Sequence, residues 1–436
     1  MEEYVQQLFG FIERSPSPFH AVEDVRRRLE ENGFVPLQES QLWKLSPGGR
    51  YYVTRNRSSC LAFRLPEEKP SGFMLVASHS DSPTFRIKEN GELISSLYTR
   101  LNVERYGGML YTPWFDRPLS VAGRLLVRRG EALETRLVAL HQDVAIIPNV
   151  AGHMGLRQND GFHYAPQQDL CPLIGGPQAK GALRAVLAKA ADVEPQEIAG
   201  SDLILYLREK GRIAGINGEY LLSPRLDDLE CAFGTLQGFL QAEPSPACAV
   251  YCLFDNEEVG SATRQGADSS FLSDTLTRIA EALDMGAQQL RAAIARSMML
   301  SADNAHAVHP NHPELSDPDN GVQMNAGIVV KFNANQRYTS DGVSSALFRE
   351  ICRRAGVPTQ SYANRSDMPG GSTLGNIANT HISMHTVDVG LAQLAMHSCC
   401  ETAGTADLAY LVRASKAFYE TALYAGEDGS YRLFTK

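Results

Sequence analysis

The sequence runs to 436 residues, 43% hydrophobic and 21% charged, enough apolar material for two domains and too much for a disordered chain. Lys and Arg number 41 against 50 Asp and Glu, a net charge of −9 with no clustered basic tract, so nucleic acid is not an expected partner. No apolar run reaches the roughly 18 residues of a membrane span. Met1-Glu2-Glu3-Tyr4 carries acid where a secretory leader carries base, and the 8 cysteines form no Cys-x-x-Cys pair. The expectation is a reduced, cytoplasmic protein without membrane attachment.

Val5, Leu8, Phe9 and Ile12 predict a helix over 3–14, ended by Ser15-Pro16-Ser17-Pro18. Ala21, Val22, Val25 and Leu29 predict a second, stopped at Gly33. Residues 51–55 and 60–65 read as a hairpin, and the apolar run 72–78 as a strand covered on both faces. From about Glu92 to Gly218 the texture changes: weak alternation around Gly130, loop-rich sequence from Pro148 to Pro177, and a short strand at 201–207. This predicts a β-rich insertion at 92–218 splitting a main domain of 1–91 and 219–436. Beyond it, Leu226, Leu229, Phe233, Leu236 and Leu240 mark a helical core stripe. Strands are predicted at 247–254, 297–301, 327–332, 360–364 and 381–387. Helices are predicted at 274–296, 343–355 and 408–424. The alternation gives an α/β fold class.

Acids and imidazoles stand directly after the apolar strands: His79-Ser80-Asp81, Asp255-Asn256-Glu257-Glu258 and Asp303. Ligands gather at the carboxyl ends of strands in an open α/β sheet, so three such ends predict a divalent-cation site, with His397 as a further imidazole. Taken singly, each has a plainer reading. A strand-end histidine is usually a hydrogen-bonded loop residue, Glu257-Glu258 suit a helix N-terminus, and Asp227-Asp228 suit the cap of the helix that follows. Competing chemistries lack their signatures: there is no His-Glu-x-x-His, no Gly-x-Ser-x-Gly, no phosphate loop and no Gly-x-Gly-x-x-Gly. Cys231, Cys248 and Cys252 lie in apolar segments and do not suit a nucleophile. His306, His309 and His312 fall in a proline-interrupted loop, where one of the three suits a substrate contact.

Nine ordered blocks carry a family likeness. They are His79-Ser80-Asp81-Ser82-Pro83, Tyr106-Gly107-Gly108, Trp114-Phe115-Asp116-Arg117, Ser223-Pro224-Arg225-Leu226-Asp227, Asp255 to Ser261, Ser301 to Asn311, Lys331 to Tyr338, Gly371 to Gly375, and Ala395-Met396-His397-Ser398. Together they resemble the aspartyl aminopeptidase family of dinuclear zinc metallopeptidases over almost the whole chain. The resemblance implies a mixed twisted β-sheet flanked by helices on both faces, a β-rich dimerisation insertion, and a homo-oligomer, a dodecamer built from dimers. It implies metal ligands His79, Asp227, Glu258, Asp303 and His397, with Asp227 bridging two ions, most readily Zn, with Mn or Co as alternatives. It implies Glu257 as general base, Asp81 orienting His79, and substrate contacts from His306, Lys331 and Tyr338. His153 is implied to reach a neighbouring subunit's site. Asp228 departs from the family, which commonly has Asn there.

The expected activity is removal of N-terminal residues from peptides with a free N-terminus, acidic ones preferred because Lys331 suits a carboxylate side chain. A neutral or apolar preference, a dinuclear deacylase or carboxypeptidase, and a non-catalytic scaffold are the alternatives. Against the last, a scaffold has no need of Glu257.

Overall fold

The computed structural model describes residues 2–154, 159, 161–427 and 429–435. Its largest sheet has nine strands, in the order Val35–Leu37, Arg50–Arg55, Ser59–Arg64, Cys248–Phe254, Phe73–His79, Met298–Ala302, His385–Gly390, Ile328–Phe332 and Thr359–Ala363. The four strands from Cys248–Phe254 to His385–Gly390 run parallel, while both flanks bring in antiparallel pairs, so the sheet is mixed. Every residue of Phe73–His79 and Cys248–Phe254 is buried, because helices cover both faces.

Alternate side chains of one strand serve the two helical layers. Met74 and Val76 join a core with Val5, Val22, Leu229, Phe348 and Leu411, whereas Leu75 and Ala77 join one with Phe271, Ile279 and Leu374. The stripe expected from Leu226 onward forms the helix Leu226–Gln241, its Leu229, Phe233 and Leu236 fully buried.

A second, six-stranded sheet has its own core, with Phe85, Trp114, Val121, Leu125 and Leu205 at its centre. Its strands run from Thr84–Ile94 to Ile198–Leu207. The boundary expected at 91/92 therefore falls inside a strand. Arg212–Ala214 and Tyr220–Ser223 belong instead to a five-stranded sheet with Glu401–Gly404, Ala392–Leu394 and Ala305–His306.

Three other expectations need correcting. The helix expected over 274–296 is two helices, Phe271–Ala282 and Ala287–Ala295, because Asp284 turns left-handed at φ 51° ahead of Gly286. The strand expected at 381–387 begins at His385, since His381 ends the helix Leu374–His381. The C-terminal helix stops at Tyr419, and Thr421–Ala425 forms a hairpin with Tyr431–Thr435.

Candidate metal centre

In the parallel core of the large sheet His79 pairs in register with Phe254, and Ser301 with Ala77. The segments leaving those strands therefore emerge side by side, carrying His79 and Asp81, Glu257 and Glu258, and Asp303. Asp227 and Asp228 enter from the start of the helix Leu226–Gln241, where both leave helical φ/ψ. Their carboxylates face the strand ends and do not cap the helix.

Two groups of ligand atoms result. His79, Asp227, Asp228 and Asp303 present one set, and Asp227, Glu258 and His397 another, with atoms in each lying within 4.8 Å of one another. Asp227 belongs to both. Its Oδ1 is 3.4 Å from His79 Nε2 and its Oδ2 is 3.5 Å from His397 Nε2, while His397 Nε2 also lies 3.4 Å from Glu258 Oε2. All five sequence-derived ligand candidates are thus brought together, and Asp228 joins them.

The imidazoles are oriented from behind. His79 Nδ1 lies 3.1 Å from the Asp81 carbonyl and 3.4 Å from Asp81 Oδ1, so the main chain of Asp81 is the nearer acceptor, with the carboxylate beside it. His397 Nδ1 lies 3.0 Å from the Gly108 carbonyl, leaving Nε2 of both rings to face Asp227. His397 sits at φ 65°, a conformation that costs a non-glycine residue roughly 1–3 kcal/mol and persists where neighbours fix it. Gly107, at φ 75°, packs so close to Glu258 that an added Cβ would lie 3.1 Å from the Glu258 Cβ.

Asp81 has more partners than its expected role requires. Its carboxylate accepts from the backbone N–H of Glu257 at 3.1 Å and of Glu258 at 3.2 Å, and from the Tyr106 hydroxyl at 2.7 Å. The Glu257 side chain is left free of the ligand groups, and burial with the surrounding carboxylates pushes its pKa up to about 8. Burial and the Asp227 charge likewise hold Glu258 well above the ordinary range, and burial raises Asp303 against the opposing pull of Lys331. Burial tends to lower His79, but Asp228, Asp227 and Asp81 override it and hold the ring well above its usual value.

The donor set fits divalent cations. Among the described residues, Asp227 Oδ1, Asp228 Oδ1 and Glu258 Oε1 are buried without a hydrogen-bond partner, a costly state for carboxylate oxygens unless a cation takes them up. Mixed carboxylate and imidazole donors suit Zn, Mn or Co.

Of the expected substrate contacts, Lys331 is 2% exposed; its Nζ donates to the Asn304 carbonyl at 2.9 Å, lies 3.5 Å from Asp303 Oδ1, and sits 5.4 Å from the Tyr338 ring centroid. His306 lines an open cavity of about 420 Å³ with Tyr362, Asn364, Gly370 and Met396. His153 is exposed on the turn Gly152–Met154, outside the ligand groups formed among the described residues. Residues missed in the sequence are Tyr106, whose motif block gave no hint of a role, and Glu401, a single acid after Cys399-Cys400 that carries no motif.

The profile of the peptidase M18 family, described as aminopeptidase I zinc metalloprotease, matches residues 11–419. The chain is 44% identical over 426 residues to a protein of Clostridium acetobutylicum named probable M18 family aminopeptidase 2, covering 96% of this chain and 98% of that one. A protein of the same name from Pseudomonas aeruginosa is 41% identical over 425 residues, with the same coverage. Among solved structures, Ape4 in its complex with Nbr1 superposes with a TM-score of 0.93 at 34% identity, covering 96% of this chain and 85% of that one. The mApe1 dodecamer of S. cerevisiae superposes with a TM-score of 0.83 at 29% identity, covering 95% and 96%.

Proposed function

The chain belongs to the M18 family of zinc metalloproteases and is a metal-dependent aminopeptidase, and we propose that it works through a dinuclear centre and prefers peptides with acidic N-terminal residues. The observation that carries the dinuclear reading is the double exposure of Asp227, one oxygen toward His79 and the other toward His397. A bridging ligand must be anionic and two-ended, which a carboxylate is. On this reading His79 and Asp303 hold one ion, Glu258 and His397 the other, and Asp228 adds charge to the first group. Divalent cations bound there would polarise the scissile carbonyl and acidify the attacking water.

Glu257 is the general base. It is a carboxylate beside the centre that the ligand groups do not use; divalent cations bound there would bring its raised pKa back down, and the ionised form takes the proton of the attacking water and delivers it to the leaving amine. Asp81 fixes its main chain from behind and sets the tautomer of His79. Lys331 offers a cation to the side chain of the departing residue; His306 and Tyr338 complete that wall, and His153 serves a neighbouring subunit. The six-stranded sheet is the region we assign to subunit pairing, within a dodecamer like the one that S. cerevisiae mApe1 forms.

The test pairs metal analysis with a panel of chromogenic aminoacyl substrates, free and N-acetylated. The expected result is two ions per chain, cleavage of free Glu- and Asp-substrates ahead of Leu, and rejection of the acetylated forms. Equal cleavage of Leu and Glu would remove the acidic preference; one ion per chain would remove the bridge.

A further inference from the structure

Glu401 is 1% exposed and opens the strand Glu401–Gly404, where it pairs in register with Ser223. That register sets it beside the segment running from Ser223 to Asp227. Its two carboxylate oxygens are split between two main chains: Oε2 accepts the N–H of Asp227 at 3.0 Å, and Oε1 accepts the N–H of His397 at 2.8 Å. Both residues sit on unusual backbone. Ala395 and His397 lie at φ 57° and 65°, and Arg225, two residues ahead of Asp227, lies at φ 57°. Such conformations persist where the surroundings fix them, and a buried N–H group deprived of its acceptor is costly.

We propose that Glu401 is a positioning residue that sets the spacing of the two metal subsites by holding the backbones of Asp227 and His397 on one carboxylate. The proposal rests on the reading of those two residues as ligands. Asp81 does the corresponding work for the N–H groups of Glu257 and Glu258. Two buried carboxylates outside the ligand groups thus hold the main chain of four residues at the centre. A glutamine at 401 has one acceptor oxygen, so one of the two N–H groups must face an NH2 group, and the link between the subsites is broken.

The experiment is a Co²⁺ titration of metal-free full-length wild type, Glu401→Gln, Glu401→Asp and His397→Ala, followed by calorimetry and visible absorption, with kcat and KM at saturating Co²⁺. Circular dichroism and oligomer size report the fold. The expected result for folded Glu401→Gln is one ion bound within threefold of wild-type affinity and the second weakened about 10- to 100-fold. In the same variant kcat should fall at least tenfold with KM within threefold. Two ions at wild-type affinity with kcat within twofold would overturn the proposal, as would a lower Tm with metal binding unchanged. Should Glu401→Gln not fold, Glu401→Asp, one methylene short of spanning both N–H groups, must show the same loss of the second ion, and wild-type binding there overturns the proposal. His397→Ala is expected to bind one ion; two ions bound as in wild type would overturn the ligand reading itself, separately from any result at Glu401.

Discussion

Lys331 holds its ammonium 3.5 Å from Asp303 Oδ1, so the cation we propose for the substrate side chain is also the neighbour of a candidate metal ligand. Replacing it therefore has two effects. Lys331→Met should lower kcat/KM on every substrate, because Asp303 loses its partner, and should lower it about 10- to 100-fold further on Glu- than on Leu-substrates, the worth of one charged hydrogen bond. Parallel kinetics on the two substrates check this. An equal loss on both would assign Lys331 to Asp303 alone.

Removal of metal should cost activity and stability together. The unpartnered oxygens of Asp228 and Glu258 are buried among like charges, so the chelated protein should unfold at a lower temperature. Readdition of Zn²⁺ at about 100 times its Kd should restore roughly 2.7 kcal/mol for each ion bound. Calorimetry after chelation and after readdition measures both changes; an unchanged Tm would argue against ions in this cluster.

Glu257 and Asp81 should separate chemistry from assembly of the site. Glu257→Gln should lose about 10²- to 10⁴-fold in kcat with metal content unchanged, since its side chain lies outside the ligand groups. Asp81→Asn, which leaves the N–H groups of Glu257 and Glu258 short of an acceptor, should instead weaken metal binding about 10- to 100-fold. Metal content per chain alongside kcat distinguishes the two.

His20 predicts a pH effect away from the centre. Burial, with help from His141 and Arg225, lowers its pKa from 6.5 to about 4. In that interval the unfolded chain takes up a proton that the folded chain does not, so the stability present above pH 6.5 is lost as pH falls toward 4. The loss is on the order of 3 kcal/mol. Urea unfolding at pH 7 and pH 4.5 should show a smaller drop in His20→Gln than in wild type.

Much of this arrangement was legible because strong periodicity and strand-end chemistry coincide. The apolar runs before His79, Asp255 and Asp303 announced buried parallel strands, and the residues after them announced the centre. The helix beginning at Leu226 was equally plain, yet its spacing cannot say that Asp227 and Asp228 leave helical geometry to face the strand ends. Glu401 was invisible for a different reason. Its work depends on pairing with Ser223 across a sheet formed from distant segments. The strands Thr84–Ile94 and Thr99–Tyr106 were hidden because their alternation is short, Phe85 and Ile87 against Arg86 and Lys88 in one and Leu101 and Val103 against Arg100 and Glu104 in the other. Asp284 broke an expected helix through a single left-handed residue that amphipathic spacing does not register.

The placement of His79 in the first quarter of the sequence and of His397 and Glu401 in the last bears on biosynthesis. A ribosome-bound chain carries only part of the centre until its closing segments emerge and the sheet shared by Tyr220–Ser223 and Glu401–Gly404 can zip together. On the proposed reading, a chain cut short before His397 lacks a ligand of the second subsite and cannot complete the dinuclear centre.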